Sequence, residues 1–239
     1  VDAMARTVYD TPKNRAPWGW KVAAYLWTKS IAAGVMMVAA LDALTHVRVE
    51  QLLGEIAPVI ALDFMVLTSF FLIIDLKRPA RFYYILLRPN WHSWLVWGTL
   101  ALMAFSALCL AWLAAFHYGP PDALRALAWP MLIGAGAAAG YSAFLFGQAE
   151  GRDFWQSPLL LTQLLAAALV AGTAVLVLTE AIAASWFSTY LRLLRDLLSA
   201  CVLIHAVLLA GELLVPHAQG DSAKAARMLT RGVWALPFW

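Results

Sequence analysis

The stretch "DLKRPARFYYILLRPNWHSWLVWG", residues 75–98, joins two long apolar runs of the chain. It concentrates basic residues, aromatic residues and two prolines in a sequence where charge is otherwise scarce. Proline removes a backbone donor and interrupts a helix, while basic and aromatic side chains collect where a membrane meets water. We call this stretch the elbow, because it predicts a turn at a membrane surface between two spanning helices.

The composition places the chain in a membrane. Hydrophobic residues make up 63% and charged residues 13%, and the mean hydropathy is +0.73, which excludes a soluble globular protein. Six apolar runs are long enough for a hydrocarbon core, which takes about 20 helical residues. They lie at Val22–Leu44, Ile56–Ile74, Trp91–Phe116, Leu124–Phe146, Leu159–Leu178 and Leu197–Val215. Because these runs lack the alternation of barrel strands, they predict an all-α, polytopic transmembrane helix bundle with six visible spans.

The ends of the chain and its basic residues predict its organisation. We expect one transmembrane domain over residues 1–239 that is incomplete at both ends, since the chain begins at Val1 and stops at "RGVWALPFW", which resembles the start of another helix. Lysines and arginines lie mainly on the face that carries the elbow and both visible ends. The positive-inside rule predicts that this face is cytoplasmic. A basic face that docks an acidic partner is the alternative explanation.

The chain's own metal ligands are few. Cys109 and Cys201 lie singly in spans three and six, without the clustered spacing of iron–sulfur or zinc sites, and are typical of small packing residues. Among the histidines, His205 alone lies near the centre of a span. A transmembrane b-type haem needs two facing histidines at matching depth. We therefore expect neither haem nor a metal centre in this chain.

Ionisable residues inside spans are costly in hydrocarbon and usually face an interior or a cavity. The clearest are Lys29, Asp63, His205 and Glu212. They could form a proton path, or each could be a buried polar group paired with a neighbouring helix, and the sequence favours neither interpretation. Asp42 and Glu180, near the far ends of spans one and five, are typical of interfacial or solvated residues.

Span four contains a motif for close helix packing. Gly136 and Gly140 are separated by three residues, as in small-xxx-small contacts between membrane helices. Tyr141 follows directly, and its phenol could donate a hydrogen bond into a cavity or act only in packing.

The elbow resembles the D-L-x-R-P-x-R-F…R-P-N-x-x-S-W-x-x-W-G signature of the NrfD/PsrC family, the membrane subunits of polysulfide-reductase-type respiratory complexes. In that family the signature joins helices two and three. The stretches "APWGWKVAAYLWTKSIAAG", "YSAFLFGQAEGRDFWQSPLL" and "RGVWALPFW" are similar to the family's first helix, its helix-four exit and its approach to helix seven. The resemblance covers nearly the whole chain, and the elbow is its most specific part.

The resemblance implies a haem-free bundle, usually of eight helices, in the inner (plasma) membrane. Such a bundle anchors a ferredoxin-like iron–sulfur subunit and a molybdopterin catalytic subunit. It also binds a quinone, either menaquinone or ubiquinone, which exchanges electrons with the iron–sulfur subunit. The chain itself would therefore be the quinone-reactive subunit of an oxidoreductase, while the substrate chemistry belongs to the catalytic subunit.

The family's motif positions imply a quinone site between spans one, two and four, near the elbow. Its residues here are Trp18, Lys21, Tyr25, Asp75 and Tyr141. Family members can carry Asn and His where this chain has Lys21 and Tyr25, so its hydrogen bonding to the quinone differs. The basic residues implied for partner docking are Arg78, Arg81 and Arg88, and Arg78 would also brace Asp75 at the end of span two.

Two alternatives remain open at this point. A proton-translocating member, like relatives in alternative complex III, would carry protons through the four ionisable residues inside the spans. A secondary transporter would need broken helices near the membrane midplane, whereas the prolines here lie mostly at span ends.

Overall fold

The protein is described by a computed structural model that covers residues 19–46, 49–76, 79, 82–120, 122–148, 157–182, 191–214, 220–232 and 235–238. Six of its helices are long and apolar enough to cross a membrane. Strands are absent from these ranges. The prediction of an all-α bundle with six visible spans is therefore confirmed.

The six long helices are numbered α1 to α6 in chain order. Their bounds are α1 Trp20–Thr45, α2 Ala57–Asp75, α3 Trp94–Tyr118, α4 Ala123–Gly147, α5 Leu160–Ile182 and α6 Leu191–Leu214. A π-helical turn at Leu52–Ile56 leads directly into α2. A shorter helix, α7 at Gly220–Thr230, and two single turns, Tyr84–Leu87 and Ala235–Phe238, complete the described helices.

Helix α1 is the centre of the bundle. It packs against α2, α4 and α5, and most of its residues are buried. Helix α6 instead packs mainly against α5 and exposes an apolar face. Exposed apolar side chains are compatible with lipid, so the outer position of α6 needs no protein cover. The central position of α1 means that polar side chains on it must find partners within the bundle.

Helices α1 and α5 approach each other backbone to backbone. A Cβ atom at Gly34 would overlap the carbonyl oxygen of Ala168, and a Cβ atom at Gly172 would overlap the backbone of Gly34. Small residues allow membrane helices to come this close, where van der Waals contact and not the hydrophobic effect holds them together. The two glycines therefore fix how α1 and α5 cross.

The described residues of the elbow show where α2 ends and where α3 begins. Helix α2 ends at Asp75, and the next residue, Leu76, has an extended backbone (φ −65°, ψ 139°). Before α3, the Ser93 hydroxyl accepts a hydrogen bond from the Leu95 amide at 3.3 Å and so caps the helix. This cap explains why α3 begins at Trp94 and not at Trp91, where the apolar run begins.

Helix α6 begins six residues earlier than its apolar run suggests, at Leu191 instead of Leu197. Arg192 and Arg195, which precede the apolar run, lie in its first turns and are exposed. Arginine has good helix propensity, and its long apolar stem allows the charged group to reach water from a helix end. The span predicted from hydropathy alone is therefore too short.

The orientation of the bundle remains a prediction. Accessibility tags at the N-terminus and in residues 77–90 are expected to report the cytoplasm, because basic residues collect on that face. Tags in residues 46–55 and 117–123 are expected to report the opposite side. Reversed labelling would mean that the basic face serves docking and does not set the orientation.

Candidate functional site

Lys29 lies about two and a half turns inside α1 and is fully buried. Its Nζ atom donates hydrogen bonds to the carbonyl oxygen of Ala139 at 2.9 Å and to the Ser142 Oγ at 2.5 Å. The same ammonium lies 4.3 Å from the centroid of the Tyr141 ring, within cation–π range. Within the described ranges no carboxylate forms an ion pair with Lys29. Its charge is therefore held by a carbonyl, a hydroxyl and an aromatic face, all from α4.

Ser142 connects this lysine to two phenols. The side chains of Tyr25, on α1, and Tyr141, on α4, both lie within interaction range of the Ser142 hydroxyl. A hydroxyl carries one proton, so while Ser142 accepts from Lys29 it can donate to one phenol at a time. Ser142 itself is fully buried, which keeps bulk water from competing for these contacts.

The Tyr141 phenol is buried. Among the described residues its oxygen has no partner in hydrogen-bonding geometry, although Ser142 is near. Its ring packs against Gly98 of α3, where a Cβ atom would overlap the ring. A buried polar group without a partner is costly and rare, so it indicates a place where a hydrogen-bond acceptor can bind.

Tyr141 also lines an open, mainly apolar groove of about 400 Å³. The groove lies between α3, α4 and α5, whereas the family's motif positions imply a pocket between spans one, two and four. Trp94 and Phe144 line it and stack with ring centroids 4.5 Å apart. Trp97, Gly140 and Leu161 are further lining residues. Tyr141 therefore belongs both to the wall of this groove and to the Lys29 cluster.

The remaining described quinone-site candidates lie at the elbow end of α1 and α2. The Lys21 Nζ donates to the carbonyl oxygen of Ile74 at 3.0 Å, which ties the start of α1 to the end of α2. Asp75 follows, is exposed, and its charge acts on the Tyr25 phenol. The structure thus brings Lys21, Tyr25 and Asp75 together, and it connects Tyr25 to Tyr141 through the buried serine.

The four candidates for a proton path are not brought together. Asp63 is exposed on α2, and Lys29 has its contacts on α4. On α6, the Glu212 carboxylate accepts a hydrogen bond from Ser157 at 2.5 Å, while the buried Nδ1 of His205 has no partner in the described part of the chain. Two of the four thus lie on the outer helix, away from the lysine cluster.

Three of the sequence candidates, Trp18, Arg78 and Arg81, lie outside the described residues. Arg88 follows the single turn Tyr84–Leu87 and is exposed. The brace between Asp75 and Arg78 stays a prediction, because Arg78 lies outside the described residues.

Asp42 and Glu180, which the sequence predicts to be interfacial caps or solvated residues, are both buried, so neither is solvated. Asp42 is 7% exposed and contacts the His46 ring at 2.8 Å. Glu180 is fully buried, and neither of its carboxylate oxygens has a partner among the described residues. The sequence was misleading because both lie near span ends, where water is usually available.

Sequence reasoning missed Ser142 and Gly98. The signal for Ser142 was its position next to Tyr141 in an apolar span, where a hydroxyl needs a partner. Gly98 is the last residue of the elbow, and nothing in the sequence indicates that it packs against a ring on α4. The described ranges hold no group of three or more residues that could bind a metal ion.

Comparison with known proteins agrees with the elbow's resemblance. A curated protein of Halobacterium salinarum, described as a putative membrane subunit of dimethyl sulfoxide reductase, is 22% identical over 234 residues, which cover 86% of this chain. The chain spans about half (54%) of the length of that relative. The family model described as polysulphide reductase, NrfD, matches residues 10–239. Because that match extends over nearly the whole chain, the elbow included, the chain belongs to the NrfD family.

Proposed function

We propose that this chain is the quinone-reactive membrane anchor of a multi-subunit oxidoreductase. Its family, its six apolar helices and a relative named as a reductase membrane subunit support this role. The observation that carries the proposal is Tyr141, which lines an apolar groove and whose buried hydroxyl is unpaired among the described residues.

The residues of the groove fit a quinone. A quinone is a flat apolar ring with carbonyl acceptors and a hydrocarbon tail, and ligand pockets typically combine apolar walls with a few placed polar groups. Trp94, Phe144 and Leu161 supply the apolar wall, and Tyr141 beside them carries a hydroxyl that has no partner among the described residues. Menaquinone and ubiquinone both have these features.

Each residue of the cluster has a chemical role in this proposal. On reduction a bound quinone accepts two electrons and two protons. Tyr141 donates a hydrogen bond that orients the ring, and the Lys29 ammonium behind it favours negative charge on an oxygen held by Tyr141. Burial of Lys29 and Ser142 excludes water, which strengthens both effects.

The elbow is the proposed docking surface for a ferredoxin-like iron–sulfur subunit, which in turn binds a molybdopterin catalytic subunit. Trp94 and Trp97 lie in the last part of the elbow, at the start of α3, and line the groove. The groove therefore opens at the elbow end of the bundle, which shortens the distance for electron transfer. Exposed Arg88, with Arg78 and Arg81 from the sequence, provides the positive charge that would steer an acidic partner.

A proton-translocating role would need exchangeable groups across the whole bundle. Lys29 and its neighbours supply such groups near the elbow. Asp63, His205 and Glu212 lie apart from them in the described structure. The proposal is therefore restricted to quinone reaction at the elbow end.

Tyr141→Phe tests the proposal directly. We expect quinone-dependent turnover to fall about 100-fold, as it does when one preorganised donor is removed from a reacting oxygen. Protein stability should not fall, because the hydroxyl lost has no partner in the described structure. The measurement is quinone-dependent turnover of the purified complex beside turnover with an artificial dye that bypasses the membrane subunit.

Tyr118→Phe is the matched control, since Tyr118 is 90% exposed at the opposite end of α3 and should tolerate the change. Tyr25→Phe should also lower quinone turnover and spare the dye reaction. If Tyr141→Phe and Tyr25→Phe both keep full quinone activity, the quinone binds elsewhere. Purified complex without molybdenum or tungsten and without an iron–sulfur protein would contradict the proposed role as a whole.

A further inference from the structure

We propose that Lys29 is the proton donor for the oxygen held by Tyr141, and that Lys29 regains its proton from the elbow face through Ser142 and Tyr25. This inference rests on the proposed quinone reaction and adds to it the source and the route of the proton. The proposed proton route is short, and it begins and ends on the elbow side of the bundle. A proton-translocating protein would instead need a path across the whole bundle.

The partners of Lys29 suit a residue that changes its charge. A lysine with a fixed structural charge is usually paired with a carboxylate, because an isolated ammonium is costly in hydrocarbon. Lys29 instead donates to the Ala139 carbonyl and to the Ser142 hydroxyl. A neutral amine can donate to both of these groups as well, so the cluster keeps its hydrogen bonds in either protonation state.

Delivery of the proton follows from the contacts of Ser142. The proton leaves Lys29 Nζ for Ser142 Oγ, 2.5 Å away, while the serine's own proton passes to the Tyr141 phenol. The phenol proton passes at the same time to the ligand oxygen that Tyr141 holds. This step needs the two hydroxyl groups to move closer, because Ser142 and Tyr141 are not in hydrogen-bonding geometry in the structure. Lys29 ends neutral, and both hydroxyl groups keep one proton each. The ligand has gained one proton, and it takes its electron from the docked iron–sulfur subunit.

Reloading of Lys29 uses the other phenol. Tyr25 lies within interaction range of Ser142 on one side and of the Asp75 charge on the other. Asp75 is exposed at the end of α2, where it can take a proton from bulk water. The proton then passes through water to Tyr25, to Ser142 and to the Lys29 amine. Two such cycles supply the two protons of a full reduction.

Few other titratable groups face Lys29 from the elements packed around it. Helix α4 contributes Tyr141, and α1 itself contributes Tyr25. On α2, Asp63 is exposed and Asp75 lies at the surface, and on α5 the carboxylate of Glu180 lies towards the opposite end. Among the described residues, the elbow side is thus the nearest source of protons.

The experiment removes the amine and follows the proton. In Lys29→Met, quinone-dependent turnover and the rate of proton uptake on reduction, read with a pH indicator, are expected to fall about 100-fold. Quinone binding should stay at the level of the unaltered protein. Binding is read from quenching of tryptophan fluorescence, to which Trp94 and Trp97 in the groove contribute. Ser142→Ala should give the same pattern and serves as the second variant if Lys29→Met does not fold.

A substitution at Asp75 tests the surface end of the proton route. Asp75→Asn is expected to slow proton uptake at neutral pH. Lowering the pH should restore the rate, because protons in bulk water then reach Tyr25 without the carboxylate. Lys29→Met should not be restored in this way, since the donor itself is missing.

Thr28→Val is the matched control. Thr28 neighbours Lys29 on α1, and Thr68 on α2 donates a hydrogen bond to its hydroxyl at 2.8 Å. Thr28→Val removes a buried hydroxyl that lies on the same helix as Lys29 but is not part of the proposed route. Proton uptake should therefore be unchanged.

Three results would overturn the inference. They are normal turnover in both Lys29→Met and Ser142→Ala, loss of quinone binding in Lys29→Met, and equal slowing of proton uptake in Thr28→Val. The proposed quinone site fails separately, when quinone does not quench tryptophan fluorescence and Tyr141→Phe keeps full activity.

Discussion

Gly34→Ala is expected to destabilise the bundle strongly. The new Cβ atom would overlap the Ala168 carbonyl oxygen, which belongs to a backbone and cannot rotate away. Helices α1 and α5 must then separate, and α1 also carries the contacts to α2 and α4. Overpacking of this kind costs about 3 kcal/mol of unfolding free energy, towards the upper end of its usual range.

The measurement is the midpoint of thermal unfolding of the detergent-purified protein, with the yield of assembled complex as a second readout. Gly136→Ala is the control, because a Cβ atom there meets no atom within 4 Å. Gly172→Ala should resemble Gly34→Ala, since its Cβ atom overlaps the same crossing. Equal midpoints for Gly34→Ala and Gly136→Ala would show that the helices do not cross at these glycines.

Gly98→Ala is expected to lower quinone turnover without unfolding the protein. Its Cβ atom would overlap the Tyr141 ring, so the ring must move by about 1 Å, a displacement that can cost 100-fold in rate when it misplaces a reacting group. A ring can move where a backbone cannot, so the fold should survive. The measurement is quinone-dependent turnover relative to the dye reaction of the same preparation.

Gly134→Ala controls for the added methyl group, because its Cβ atom would lie 2.6 Å from the end of the flexible Leu108 side chain, which can yield. It should keep both activities. If Gly98→Ala retains full quinone turnover, then either the Tyr141 ring does not need its position or the quinone binds elsewhere.

Much of the fold was predictable because the apolar runs and the helix-breaking residues between them agree on where the helices lie. The apolar runs predicted all six spans, and the prolines and aromatic residues of the elbow predicted the turn before α3. Span ends were less predictable, because arginines such as Arg192 can continue a helix beyond its apolar run. The cap at Ser93 is local chemistry that hydropathy does not record.

The candidate site was only partly predictable. Lys29, Tyr25 and Tyr141 were found individually, by charge and by family position, but the sequence assigned Lys29 to a different group from the two tyrosines. What unites them is Ser142, and this depends on how α1 faces α4. Which sides of two helices face each other is decided by long-range packing, here by contacts such as those of Gly34 and Gly98. The periodicity of a single helix does not predict it.

The central position of α1 has a consequence for biogenesis. Lys29 and Ser142 are 113 residues apart, so at about 5–20 residues per second α1 is made roughly 6–23 s before its partner on α4 exists. During that interval an ammonium without its acceptors costs about 2.5–3.5 kcal/mol on translocon insertion scales. We expect α1 to remain beside the translocon until α4 arrives, so that a ribosome stalled before residue 142 leaves α1 crosslinkable to the insertion machinery.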